Sequence, residues 1–262
     1  MLALSQVSQT AILMLIARAV ASEKENALLN DPMAAHCLER LMSLSSEEEK
    51  KRIIKWKKMY TRLKAQDAKP VTRRTKLIDS SVDQFIANNP NCTVVNLACG
   101  LDTRFWRIQN KNCRYVEIDL PEVVSLKRKI LKDELCYELM GCSILDPAWI
   151  DQVTANGNSG FLLIAEGLFY YLPRQDVTRI LQAMAGRFER SQLILDMADE
   201  KYTKGIWKWF LQLEGAAWGL NVSFLFGMND PGEIEAMANG LKVIGVGKGN
   251  VGPIITASIN PA

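Results

Sequence analysis

From residue 92 onward the chain alternates short apolar runs with longer stretches of helical periodicity, and this alternation limits the fold more than any other feature. Thr93–Leu97 (TVVNL), Arg114–Ile118, Phe161–Ala165 (FLLIA) and Gln192–Met197 (QLILDM) have the length and apolar character of strands. Between them, Pro121 to about Lys132 and Arg174–Phe188 carry helical spacing. Strands that alternate with helices need crossover connections. The pattern therefore predicts an α/β fold with a mostly parallel sheet and right-handed crossovers. Leu241–Val246 and Ile254–Ser258, joined by the glycine-rich residues 247–252, are expected to close the sheet as an antiparallel hairpin.

The first ninety residues have a different texture. Residues 6–22 read as a helix with a broad apolar face, and Asp31-Pro32 starts a second, because proline suits a first helical turn. Ser45-Ser46-Glu47-Glu48-Glu49 opens a third, with serine as cap and acids at the positive end of the helix dipole. Its body, to about Lys64, is rich in Lys and Arg; Lys69-Pro70 breaks the pattern, and Thr72–Ala87 reads as a fourth helix. The expected parse is one domain over residues 1–262, with a helical cap (1–90) on a nucleotide-binding α/β core (91–262). A helical insertion is expected at 202–226, holding Trp207, Trp209, Phe210, Trp218, Phe224 and Phe226. These aromatics either pack or line a pocket for a planar or apolar acceptor.

Composition removes several function classes. A net charge of +3 over 262 residues is too small for wholesale nucleic-acid binding. The six cysteines form no CxxC pair, which argues against zinc knuckles and thioredoxin-type sites and fits a reducing cytoplasm. The N-terminal apolar run Ala11–Ala17 is far shorter than the roughly 20 residues of a membrane span, and no basic segment precedes it. His36 is the only histidine, so a histidine triad or a multi-histidine metal site is excluded, and no metal is expected. Lys50, Lys51, Arg52, Lys55, Lys57, Lys58 and Arg62 form either a solvated helix face or a docking site for an acidic partner such as a carrier protein.

The chemistry lies in VVNLACGLDTRFWR, Val94–Arg107, where a strand runs into a tight turn at Gly100 with Asp102 just beyond. Ligands of open α/β sheets bind at such carboxyl ends, near the topological switch point. A second strand, Tyr115-Val116-Glu117-Ile118-Asp119, ends in an acid 19 residues after Gly100, the spacing at which a carboxylate accepts hydrogen bonds from ribose hydroxyls. Turn and acid together indicate a nucleoside ligand without saying which. Asp102 in the turn is expected to repel a pyrophosphate, and Glu166 ends a further strand in LLIAEGLFYYL, on the same sheet edge as Asp119. Both features favour S-adenosylmethionine over NAD.

VVNLACGLDTRFWRI, YVEIDLPEVV and IAEGLFYYLP resemble the leucine carboxyl methyltransferase family, which also contains polyketide O-methyltransferases similar to the tetracenomycin enzyme. Arg18-Ala19, Asp31-Pro32, Arg74-Thr75, Ile78-Asp79, Gly227–Pro231 and Gly240-Leu241-Lys242 extend the resemblance along nearly the whole chain. It implies a class I, Rossmann-like methyltransferase fold. It also implies a cofactor set of Asn96, Ala98, Gly100, Asp102, Arg104, Asp119, Leu120, Ser143, Ile144, Glu166 and Tyr171. Asp119 would hold the ribose, Ser143-Ile144 the adenine, and Glu166 the methionine end. Two positions depart from the family: Ala98 replaces a usual glycine, and Ser143 replaces a common Asp whose place Asp146 could take.

The resulting expectation is an S-adenosylmethionine-dependent O-methyltransferase acting on a carboxylate, or a hydroxyl, of a small molecule or peptide terminus. Arg74 is associated in the family with a carboxylate. Its planar fork suits an acceptor carboxylate, the alternative being that Arg73 and Arg74 merely extend the basic surface. Two rival readings stand beside this one: a non-catalytic cofactor-binding module and an NAD-dependent oxidoreductase.

Overall fold

The computed structural model describes residues 6–23, 27–62, 69–155, 160–221 and 223–261. Among them four helices come first: α1 (Gln6–Ser22), α2 (Pro32–Leu44), α3 (Glu47–Arg62) and α4 (Lys69–Asn88). Then follow β1 (Cys92–Leu97), α5 (Arg104–Arg107), β2 (Cys113–Asp119), α6 (Pro121–Leu131), β3 (Glu138–Gly141), α7 (Ala148–Thr154) and β4 (Phe161–Ala165). The chain ends with α8 (Arg174–Ala185), β5 (Ser191–Asp196), α9 (Gly205–Ala217), α10 (Glu233–Met237), β6 (Leu241–Lys248) and β7 (Pro253–Ile259).

The strands form one sheet in the order β3-β2-β1-β4-β5-β7-β6. β1 to β5 are parallel, and β7 pairs antiparallel with both β5 and β6, as the hairpin reading required. The chain winds from β1 out to β3, then returns to the other side of β1 with β4. The switch point therefore lies between β1 and β4.

Both faces of the sheet are covered, which is why the central strands are apolar throughout. Val95, Leu97, Val116, Ile118, Leu163 and Leu195 point to the face covered by α7, α8 and α10. Val94, Tyr115, Leu162, Ile164 and Ile194 point to the other face, under Ile78, Val82, Phe85 and Ile86 of α4. Burying one such Leu or Ile contributes roughly 1.5–3 kcal/mol.

The N-terminal helices sit over α6 and the loop after β1. Ile12, Leu15, Ile16, Ala34, Leu38, Leu41, Ile53 and Trp56 form one cluster with Leu101, Leu126 and Ile130. Helix α1 is apolar nearly all round because it is covered nearly all round. Asp31 caps α2 by accepting from Ala34 N–H at 3.0 Å. Ser46 and Glu49 complete a reciprocal capping box on α3, Ser46 N–H donating to Glu49 at 2.8 Å and Glu49 N–H to Ser46 at 3.3 Å.

One sequence expectation changes. Pro70 does not end a helix: it sits in the first turn of α4, where its missing N–H has no intrahelical partner to lose. The third helix is described over Glu47–Arg62, and the expected continuation to about Lys64 lies outside the described residues. Neither β3 nor α7 is anticipated, because β3 has only four residues and two of them are exposed, so no apolar run marks it. No helix among the described residues is long and apolar enough to cross a membrane.

Candidate active site

Sheet register brings the predicted residues to one edge. Leu97 pairs with Ile118, Asp119 with Gly141, and Ala165 with Leu195, so Ala98, Leu120, Glu166 and Asp196 leave the sheet nearly level. The loop after β1 turns through left-handed backbone at Ala98 (φ 49°) and Gly100 (φ 54°). Ala98 thus occupies a conformation that favours glycine. At Gly100 an added Cβ would lie 2.9 Å from Cβ of Ala11, so α1 rests directly on this loop. Arg18 fastens the contact by donating to Leu101 O at 2.7 Å.

Asp119 ends β2 beside that loop. Its Oδ2 accepts Gly100 N–H at 2.6 Å and its Oδ1 accepts Leu120 N–H at 2.7 Å. Burial pushes its carboxyl above the usual range despite these donors. Each oxygen keeps a second lone pair for a ligand.

Behind the edge runs a continuous ion ladder that joins the cap to the core. Arg74 Nε donates to Glu166 Oε1 at 2.8 Å, and its Nη1 to Asp196 at 2.8 Å and Tyr170 Oη at 3.3 Å. The other Glu166 oxygen accepts from Arg104 Nη2. Arg104, fully buried, also meets Asp79 at 2.7 Å and Asp102 at 2.9 Å. Arg107 links Asp79 (2.7 Å), Asp102 (3.0 Å) and Asp31 (2.8 Å), and Arg18 lies 3.4 Å from Asp31. Burial opposes the Arg74 charge, yet Asp196 and Glu166 hold it well above its ordinary value. Burial likewise opposes the Glu166 charge, but Arg74 and Arg104 outweigh it and hold the carboxyl below its usual range.

This ladder revises two expectations. Arg74 is buried while Arg73 is exposed, so Arg74 is not part of a basic surface. Asp102 faces inward, accepting also from Asn96 Nδ2 at 3.1 Å, with its charge balanced by Arg104 and Arg107. The expected repulsion of phosphate by Asp102 therefore does not hold, and the choice of cofactor must rest on other grounds. Asn96, Asp102 and Arg104 brace the loop from behind.

The remaining residues fall around the same edge or away from it. Ser143 and Ile144 follow β3 and are half-buried; Ser143 Oγ accepts Leu145 N–H at 3.2 Å. Asp146 is exposed and accepts Ala148 N–H at 3.0 Å at the start of α7. Tyr170 and Tyr171 touch Phe224 with ring centroids 4.4 and 5.5 Å apart, which ties the aromatic insertion to the site. In that insertion α9 leaves Trp207, Trp209 and Phe210 about half exposed. His36 lies elsewhere, on α2, 3.2 Å from Glu134. Among the described residues no group of three or more His, Cys, Asp or Glu side chains is arranged to hold a metal.

Sequence reading missed Asp196, Arg107 and Tyr170. Asp196 was findable, since QLILD ends an apolar run in an acid just as VEID does at Asp119. It also missed Lys127, buried beneath the loop, 2.5 Å from Glu117 and donating to Asp102 O at 2.7 Å.

Comparison with known proteins gives consistent results. The leucine carboxyl methyltransferase family model matches residues 11–185. The tetracenomycin polyketide synthesis O-methyltransferase of Streptomyces glaucescens is 27% identical over 246 residues, covering 91% of this chain and 82% of its own. An S-adenosyl-L-methionine-dependent methyltransferase of Gibberella zeae is 26% identical over 250 residues, covering 91% and 81%. Among solved structures, magnesium protoporphyrin IX methyltransferase from Synechocystis shares the fold, with TM-score 0.52 at 13% identity over 81% of this chain and 94% of that one.

Proposed function

The chain belongs to the leucine carboxyl methyltransferase family and is an S-adenosylmethionine-dependent O-methyltransferase, and on that premise we propose that its acceptor oxygen is a carboxylate. One observation carries this reading: the described acids of the ladder and the sheet edge, Asp31, Asp79, Asp102, Asp119, Glu166 and Asp196, are each already engaged by an arginine or a backbone N–H. None is left as a free base. The single histidine is bonded to Glu134, and burial pushes the Tyr171 hydroxyl up to about 12 and raises that of Tyr170 well above its ordinary value. A hydroxyl acceptor must give its proton to a base. A carboxylic acid, with an ordinary pKa near 4, has already lost it at neutral pH.

The residues present fit the cofactor, which supplies a methyl group activated by its sulfonium. Ala98 and Gly100 turn the loop's backbone sharply, and Asp119 keeps acceptor capacity toward the ribose. Ser143 and Ile144 would flank the adenine. Glu166 would take the ammonium of the methionine end. Arg74, bonded to Glu166 through Nε, serves the same end; its Nη2 meets the weak acceptor Met14 Sδ at 4.0 Å and keeps donor capacity for a carboxylate. That neighbour favours the cofactor's own carboxylate over the acceptor's, the role read first from the sequence. With positioning the chief task, the chain's part would be to hold the acceptor oxygen in line with the methyl, on a loop braced by α1.

Two peripheral features belong to the same proposal. On α3 the exposed Lys51, Lys55, Lys58 and Arg62 fall on one stripe, which supports an acidic carrier or peptide as partner. The free cysteines support a cytoplasmic site of action. The test of the acceptor class uses methyl-labelled cofactor with a panel of carboxylic acids and phenols. The product label is expected to leave as volatile methanol under mild alkali. A label that survives alkali makes the product an ether and the acceptor a hydroxyl.

A further inference from the structure

Asp196 is the last residue of β5, and its side chain is only 3% exposed. Its Oδ1 accepts Gly167 N–H at 2.6 Å and its Oδ2 accepts Arg74 Nη1 at 2.8 Å. Gly167 is left-handed (φ +70°), and a Cβ there would lie 3.4 Å from Tyr170 Oη and 3.9 Å from Arg74 Nη2. Asp196 and Glu166 thus grip Arg74 from neighbouring strand ends.

With every carboxylate ionised the ladder's charges do not cancel among the described residues, although burial pushes the Asp196 carboxyl above its ordinary range against the pull of Arg74. The ladder's ion pairs join four guanidiniums (Arg18, Arg74, Arg104, Arg107) to five carboxylates (Asp31, Asp79, Asp102, Glu166, Asp196). Among the described residues Asp196 stands at one end, its one ion-pair partner there being Arg74; without it the count is four against four. Asp31, Asp79, Asp102, Glu166 and Asp196 are all at least 87% buried as side chains, so salt and water screen the excess poorly. Burying an extra anion is costly unless something opposite meets it.

We propose that Asp196 sets a net negative charge on this pocket, and so biases it toward the sulfonium cofactor over the spent product, S-adenosylhomocysteine. The proposal rests on Glu166 and Arg74 facing the methionine end. S-adenosylmethionine carries an ammonium, a sulfonium and a carboxylate, a net charge of about +1; S-adenosylhomocysteine carries only the ammonium and the carboxylate. In the transfer, a lone pair of the acceptor oxygen forms the new C–O bond. The electron pair of the breaking C–S bond stays on sulfur, which becomes a neutral thioether. The ligand's charge falls by one while the pocket's is unchanged, so the buried excess that held the substrate no longer holds the product.

The experiment is calorimetric titration of the enzyme, without acceptor, with each of the two ligands. Asp196→Asn is expected to shift the ratio of their dissociation constants by about tenfold toward the product, a difference of about 1.4 kcal/mol. The ratio is taken on one preparation, so a partly unfolded fraction cancels. Asp79→Asn removes another carboxylate of the ladder; it is expected to shift the ratio the same way, and it stands in if Asp196→Asn does not fold. Asp196→Glu keeps the charge and is expected to keep the ratio. An unchanged ratio in the folded neutral variants overturns the proposal. Glu166→Gln separates the two layers. If it weakens both ligands while Asp196→Asn leaves the ratio fixed, only the charge bias is wrong. If it weakens neither, the methionine-end assignment fails and takes this inference with it.

Discussion

Replacing Gly100 by alanine tests whether α1 is seated on the cofactor loop. The backbone there is left-handed (φ +54°), which costs an L-residue about 1–2 kcal/mol. Loss of unfolded-chain entropy returns about 0.4–1 kcal/mol. The new methyl would sit 2.9 Å from Cβ of Ala11, well inside ordinary contact, and both atoms belong to packed elements. Overpacking of this kind costs roughly 1–3 kcal/mol. Gly100→Ala should therefore destabilise the protein by roughly 2–4 kcal/mol. Ala11→Gly alone should cost about 1 kcal/mol, the ordinary helix-interior penalty. In the double variant the clash has no partner, so the loss should fall short of the sum by roughly 1–3 kcal/mol. Urea unfolding at constant m-value measures all three. Additivity within about 0.5 kcal/mol would refute the seating of α1 on the loop, because two non-touching sites behave that way.

Glu166→Gln should lower stability at neutral pH by roughly 2–4 kcal/mol, since it leaves Arg74 and Arg104 each short of a buried partner. The folded-state pKa of Glu166 lies below its ordinary value, so its contribution is complete above about pH 4.3 and is lost as pH falls through the lowered pKa. Wild type and variant should accordingly start to converge as pH falls below about 4.3 and go on converging through the lowered pKa in acid-unfolding curves; a gap that does not shrink as acid is added contradicts the ion-pair origin. Arg74→Lys keeps the charge but loses the fork, and should weaken S-adenosylhomocysteine by about tenfold in calorimetry. Unchanged affinity with collapsed turnover would hand Arg74 to the acceptor instead.

The fold was largely legible because its core strands advertise themselves. FLLIA at 161–165 is a strand with those same bounds, and QVSQTAILMLIARAVAS spans α1. What escaped was short or exposed: β3 has four residues, α10 has five, and neither buries enough side chains to leave a periodic trace. The edge residues Gly100, Asp119 and Glu166 were also legible, because a turn or an acid after an apolar run is a local signal. Their partners were not. Nothing in the spacing of Asp79, Arg104 and Glu166 says that one guanidinium touches both acids, since those pairs are 25 and 62 residues apart. Asp102 shows the limit most plainly: its charge could be read from sequence, but the two arginines that balance it could not.

The ladder explains why the resembling segments are scattered. Arg18, Asp31, Arg74 and Asp79 come from the cap; Asp102, Arg104, Arg107 and Glu166 come from the core. Such buried pairs are poor sources of stability, because desolvating both partners offsets much of their attraction. They do restrict geometry. An arginine fork donates to carboxylates best in its own plane, so Arg104 and Arg107, shared between Asp79 and Asp102, fix how α4 meets the loop after β1. Arg74 does the same between α4 and the ends of β4 and β5. An apolar interface of equal area would hold the cap on but would let it slide. In methyl transfer a lateral error of an ångström at the donor is enough to lose the in-line approach. The ladder thus constrains the cap where the reaction is least tolerant of movement, and a conservative change such as Arg104→Lys should loosen alignment more than it lowers stability.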